Sequence, residues 1–151
     1  MLELCIVMAI VIVTTAISLP MINGALRAYT VNSAVSSVTG AINTTRYRAL
    51  QNGYPFEITF TKASSNYQVL SDVGNVGTFA NVGNALPFST TTKILGANTT
   101  LVFHPGGSVQ CPACAGAQLD ASGNFLLTVT YLNVPTETIT VSPYGRITVT
   151  P

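Results

Sequence analysis

Cys111-Pro112-Ala113-Cys114 is the first arrangement in this 151-residue chain that invites a chemical reading. A structural zinc site needs about four ligands, and the other soft donors are His104, seven residues upstream, and Cys5, inside an apolar N-terminal run. A dithiol redox centre needs its first cysteine at a helix N-terminus in a βαβ setting, whereas this pair lies in a Gly- and Ala-rich stretch between predicted strands. In an exported domain the pair therefore reads as a static disulfide that stiffens its loop. Cys5 reads as a small apolar residue.

His104 is the only histidine, and its place before Pro105-Gly106-Gly107 predicts a turn. Only four acids, Glu57, Asp72, Asp120 and Glu137, lie beyond the N-terminal run, and no two are close in sequence. No glycine loop with a lysine is placed to cradle a phosphate, and no ligand cluster is spaced for a metal. We therefore expect no enzyme, no cofactor and no metal. Asn43-Thr44-Thr45 and Asn98-Thr99-Thr100 match the glycan-acceptor pattern, which chance explains in a chain so rich in Asn and Thr.

The remaining chemical group is Glu3. The chain is 48% hydrophobic but only 7% charged, with a net charge of +1, against about a quarter charged in an ordinary soluble protein. The excess is local, since about 19 of the first 26 residues are apolar. From Leu4 to Leu26 there is no charge, and about 23 helical residues at about 1.5 Å each are long enough to cross a bilayer core. Glu3 stands at the lip of this run and Arg27 closes it. A cleaved signal peptide would open with basic residues and end at a small-residue cut, not with Met-Leu-Glu-Leu. A plain signal anchor gives no reason for a carboxylate at that edge, where an ionised group is expensive unless paired.

Met1-Leu2-Glu3-Leu4, the aliphatic run from Cys5 to Leu19, and Pro20 near its end resemble the N-terminal helix of type IV pilins and pseudopilins. The resemblance implies that Glu3 pairs with the free N-terminal amine of a neighbouring subunit during assembly, so that a buried charge gains a partner as a filament forms. It also implies that Pro20 is the residue that weakens the helix, by removing a donor and clashing with the preceding turn. The basic leader, the glycine before the cut and the first two mature residues of the family pattern are absent. The expectation is a trimmed or mis-started chain, with an unprocessed membrane-anchored relative as the alternative.

Beyond the apolar run, Ile22, Leu26, Tyr29, Val31, Val35, Val38, Ile42 and Ala49 recur at spacings near three and four and predict one apolar stripe. Asn52-Gly53 ends it, with glycine suited to a left-handed cap. After Gly53 the period changes to two. Phe56, Ile58 and Phe60 share one face of a predicted strand, Tyr67 and Val69 mark the next, and others fall at 101–103, 125–131 and 139–141. Ser142-Pro143-Tyr144-Gly145 predicts the turn of a terminal hairpin spanning 137–150. Residues 71–98 and 104–123 read as long surface loops.

Thr45-Arg46-Tyr47-Arg48-Ala49-Leu50, Tyr54-Pro55-Phe56, Phe103-His104-Pro105-Gly106-Gly107 and Gly145-Arg146-Ile147 resemble the GspH/FimT-like minor pilins and pseudopilins. The implied fold class is α+β, a long N-terminal helix with a transmembrane first half, packed on a C-terminal antiparallel β-sandwich or sheet domain. The organisation expected is 1–27 for the transmembrane and filament-core half, 28–52 for the amphipathic half and 53–151 for the β domain. The function implied is a non-catalytic subunit of a type IV pilus or type II secretion system, anchored once in the inner membrane with its C-terminal domain outside the cytoplasm. Its partners would be other pilins, an assembly platform with its motor ATPase, and a prepilin peptidase where a leader exists.

Two alternatives stand beside this reading. Some relatives bind DNA through a C-terminal Gly-Arg with a second cation two positions on. Here Gly145 and Arg146 match, but Thr148 replaces that cation, and residues 28–151 carry five basic and four acidic side chains, with no stripe to neutralise several phosphates. Arg146 is expected instead on a strand, facing solvent with its stem on the sheet. The other alternative is a plain anchored binding module, recognising glycans through the loops at 71–98.

Overall fold

The computed structural model describes residues 2–88, 92–95, 98–114, 118–131 and 134–150, with the backbone alone at 2, 16–21, 92–95, 131 and 134–136. One helix, α1 (Leu2–Asn52), takes up the first third of the chain. Its first turn carries Glu3, where the positive end of the helix dipole favours an anion. It ends as the sequence predicts: Gly53 has φ +74°, and its N–H donates to the Ala49 carbonyl at 3.2 Å. The backbone is helical through Pro20, whose side chain, and with it the expected kink, lies outside the described residues.

Among the described residues ten strands follow, in two antiparallel sheets. The first sheet holds β1 (Phe56–Thr61), β2 (Asn66–Ser71), β3 (Ala80–Asn81), β4 (Leu86–Pro87), β6 (Thr99–Phe103) and β7 (Val109–Gln110), in the order β3-β2-β1-β6-β7, with β4 also on β2. The second holds β5 (Thr92–Leu95), β8 (Phe125–Tyr131), β9 (Val134–Val141) and β10 (Ile147–Thr150), in the order β10-β9-β8-β5. The terminal hairpin forms as expected, with Ile147 opposite Val141 and Thr150 opposite Thr138.

Alternation along β1 decides where the core lies. Phe56, Ile58 and Phe60 are buried, while Glu57, Thr59 and Thr61 are half-exposed on the other face. The buried face meets Val35, Val38 and Ile42 of α1, Leu101 and Phe103 of β6, Leu127 and Val129 of β8, and Ile139 and Val141 of β9 in one cluster. Both sheets thus bury their apolar faces against the same helix. Thr45 joins that face because its hydroxyl donates to the Ala41 carbonyl at 2.8 Å, so that its own polar atom is paired where it is buried.

Two sequence expectations need correction. The apolar residues of α1 form two stripes rather than one: Val31, Val35, Val38, Ile42 and Ala49 are buried, but Ile22, Leu26 and Tyr29 are 53%, 58% and 74% exposed. At about 100° per residue, the second set points roughly opposite to the first. The segments 71–98 and 104–123 are also not loops throughout, because they contain β3, β4, β5 and β7. Those strands are short pieces that complete the sheets.

Candidate functional site

Every residue from Glu3 to Thr15 is exposed, and so is every residue from Ile22 to Tyr29. Burial against the β domain begins at Val31. The N-terminal part of α1 therefore projects beyond the domain, carrying Leu4, Ile6, Val7, Met8, Ile10 and Val11 at 50–65% exposure. An apolar surface of this extent is the signature of a membrane or protein contact. The two threonines within it cost nothing in an apolar medium: the Thr14 hydroxyl donates to the Ile10 carbonyl at 2.9 Å, and that of Thr15 to the Val11 carbonyl at 2.6 Å.

Glu3 heads this surface, exposed beside Leu4, Val7 and Met8. Cys5 is a free, exposed thiol on it. Among the described residues no helix is long and apolar enough to cross a membrane. The apolar run of the sequence passes through 16–21, whose side chains are outside the described set.

At the other end of the chain the C-terminal turn is fastened on three sides. Within it, the Ser142 N–H donates to the Arg146 carbonyl at 2.9 Å and the Gly145 N–H to the Ser142 carbonyl at 2.8 Å. The Val109 N–H of β7 donates to the Pro143 carbonyl at 2.8 Å, joining the turn to the first sheet. From α1, Arg46 donates through Nη1 to the Gly145 carbonyl at 2.9 Å and through Nη2 to the Tyr144 carbonyl at 3.1 Å. Its Nε is buried without a partner, lying over Gly145. Gly145 has φ +77°, and a Cβ there would sit 2.5 Å from that Nε. Only glycine meets both demands.

Sequence reasoning missed this clamp. It did select both motifs that build it, Thr45-Arg46-Tyr47-Arg48 and Gly145-Arg146, but only as separate fragments of a resemblance. A further miss is Asp72, 2% exposed, whose carboxylate accepts from the Val76 and Gly77 N–H groups at 3.0 and 2.7 Å. The run Asp72-Val73-Gly74-Asn75 carries a turn signal that points to it.

Arg146 is exposed, but it lies in the turn and not on a strand, because β10 starts at Ile147. A shallow concavity of about 310 Å³ surrounds it, lined by Asn124, Thr140, Ser142 and Thr148, with no second cation among those residues. Cys111 and Cys114 are joined as a disulfide with Cα atoms 5.3 Å apart, just after β7. Cys111 packs on the core. His104 forms the β6–β7 turn, its N–H donating to the Ser108 carbonyl at 2.9 Å. Among the described residues no three His, Cys, Asp or Glu side chains gather as metal ligands.

Asp120 has a displaced acidity. Its carboxylate accepts from the Asn124 N–H and side-chain amide and from the Ser122 N–H at 2.7–2.8 Å, which holds it below the ordinary carboxylate value.

Neither the known family profiles nor the sequences of characterised proteins match this chain. Among solved structures it is similar to the minor pseudopilin EpsH from the type 2 secretion system of Vibrio cholerae, with a TM-score of 0.59 at 10% identity. The match covers 80% of this chain and 94% of that one. With its projecting N-terminal helix and C-terminal antiparallel sheets, the chain has the pilin/pseudopilin-like fold.

Proposed function

We propose that the chain is a non-catalytic minor pilin or pseudopilin subunit, held in the inner membrane by residues 1–27 and drawn from there into a filament or its tip. The observation that carries this reading is the unbroken exposure of Glu3–Thr15, an apolar helix surface headed by one carboxylate and standing clear of a folded domain. Such a surface is stable only when lipid or other helices cover it. Its threonines donate to the helix itself, so it exchanges lipid for protein without stranding a polar group.

In this reading Glu3 pairs with the N-terminal amine of the subunit ahead and sets the register of entry. The β domain faces outward. Other pilins surround the helix, and a membrane platform with its motor ATPase, supplied by other proteins, drives extraction.

The test compares Glu3→Ala with the unaltered chain in membrane and sheared-filament fractions. Loss of a buried ion pair costs several kcal/mol, so incorporation should fall by at least about tenfold while the membrane level holds. Normal incorporation of Glu3→Ala would remove the role assigned to this carboxylate.

A further inference from the structure

Where α1 leaves the β domain there is a concavity of about 260 Å³. Gly24, Arg27, Ala28 and Val31 line it at helical spacing, so they continue, toward the N-terminus, the face that is buried from Val31 onward. Exposed Asn32 completes the helix side, and the domain contributes Glu137 of β9, half-buried. Small residues make the room. A Cβ added at Gly24 would meet nothing within 4 Å, and the Ala28 side chain stops at its methyl.

Charge narrows the occupant first. The helix side offers the cation Arg27 and the strand side the anion Glu137. An anion alone would meet the Glu137 carboxylate, a cation alone would meet Arg27, and an apolar ligand would desolvate both. A molecule that carries both charges suits the pair.

Depth narrows it further. The apolar run starts at Leu4, and about 20 helical residues cross roughly 30 Å of hydrocarbon, which puts the far edge of that layer near Asn23. The headgroup layer adds about 5–7 Å on that side, or roughly four to five residues, so Gly24, Arg27 and Ala28 fall within it. Tyr29, 74% exposed, stands at the level where aromatic residues gather at a membrane surface. Size agrees, because the concavity is smaller than the roughly 300–1,000 Å³ of pockets that enclose a whole drug-sized ligand. It suits a headgroup whose acyl chains stay in the bilayer.

We propose that this concavity holds the headgroup of an ethanolamine phospholipid, with Arg27 on the phosphate and Glu137 on the primary ammonium. The carboxylate selects ethanolamine over choline, because a quaternary ammonium has no N–H to donate. One wall is helix and the other is strand, so a bound headgroup fixes how the domain sits on the membrane surface as well as how deep the helix lies. Extraction into a filament strips the lipid and releases that orientation. The inference rests on the proposed membrane-held subunit and adds a lipid partner to it.

The full chain in lipid nanodiscs of equal phosphatidylethanolamine and phosphatidylcholine tests it, through native mass spectrometry of the lipid retained on the released chain. The unaltered chain should keep phosphatidylethanolamine over phosphatidylcholine by roughly five- to tenfold, the discrimination of one charge-assisted hydrogen bond at a partly exposed site. Glu137→Gln should bring that ratio close to one, and Arg27→Gln should lower retention of both lipids. Gly24→Leu fills the concavity from the helix side and should lower both as well, with the denaturant midpoint of the domain unchanged. Equal retention of the two lipids by the unaltered chain, or an unchanged ratio in Glu137→Gln, would overturn the proposal. So would an equal or stronger preference for phosphatidylglycerol in place of phosphatidylethanolamine, which would mean attraction to Arg27 alone. A chain that enters the bilayer without headgroup preference would sink this site and leave the proposed function intact. A chain that alkaline carbonate washes from membranes would sink both.

Discussion

Residues 3–15 and 31–49 of α1 use similar aliphatic side chains in one continuous helix, yet the first stretch is exposed throughout and the second buries Val31, Val35, Val38, Ile42 and Ala49. The difference lies in pattern. In the second stretch small and hydroxyl residues fill the outer face, so that a single side needs cover, and the β domain supplies it. In the first, apolar residues point in all directions, and no single domain face could satisfy them. One half of the helix is thus a folding element and the other an element whose cover comes from outside the chain.

The sharpest way to break this comparison is to truncate one residue in each half. Ile42→Ala, at a fully buried position, should cost about 2–5 kcal/mol in denaturant unfolding of the β domain. Ile10→Ala should leave that midpoint within about 0.5 kcal/mol. Equal effects in the two halves would show that the projecting segment also folds against the domain.

The clamp at the C-terminal turn gives the next largest effect. Gly145→Ala meets both a left-handed backbone and the Arg46 guanidinium, and should cost roughly 1–3 kcal/mol. Arg46→Ala removes two hydrogen bonds and should cost about as much. The double variant should cost less than the sum, because the clash at Gly145 needs Arg46. Strict additivity in chemical denaturation would contradict the geometry.

Reduction of the Cys111–Cys114 bond opens a loop of only four residues, so its loss should cost no more than about 2 kcal/mol. A larger drop in the midpoint under reductant would give the disulfide a wider role, through β7 and its bond to Pro143. Purified, non-reduced chain should show no free thiol beyond Cys5 in an alkylation mass measurement.

The smallest effect is the acid response of Asp120. Its folded acidity lies below the ordinary value of 3.8, so its stabilisation is complete above that pH and is lost as pH falls through the lower folded value. Carboxyl NMR titration should place its midpoint below that of an unstructured aspartate. Asn124→Ala, which removes one of its donors, should move the midpoint back up.

Much of this was legible from local signals. The helix and its glycine stop, β1 with its alternating Phe56, Ile58 and Phe60, and the terminal hairpin each combine a period with turn chemistry. β3, β4 and β7 were not legible because two residues carry no period, and they exist only because β2 and β6 offer edges. The two faces of α1 were written in the sequence and misread. The step from Tyr29 to Val31 is two residues, a rotation of about 200°, which moves the stripe to the other side. The surface headed by Glu3 was legible because apolar length needs no partner to be recognised. The clamp was not, since nothing near Arg46 in sequence names a carbonyl 99 positions away.

That clamp also determines how the molecule carries load. Arg46 sits on α1, while Gly145 closes the last hairpin, and Val109 ties the same turn to the first sheet. Tension applied along the helix therefore reaches the chain's final strands directly through a side chain, as well as by way of Gly53 and β1. The domain is gripped at both ends of its sequence, so a pull on the helix loads the first strand and the last hairpin together.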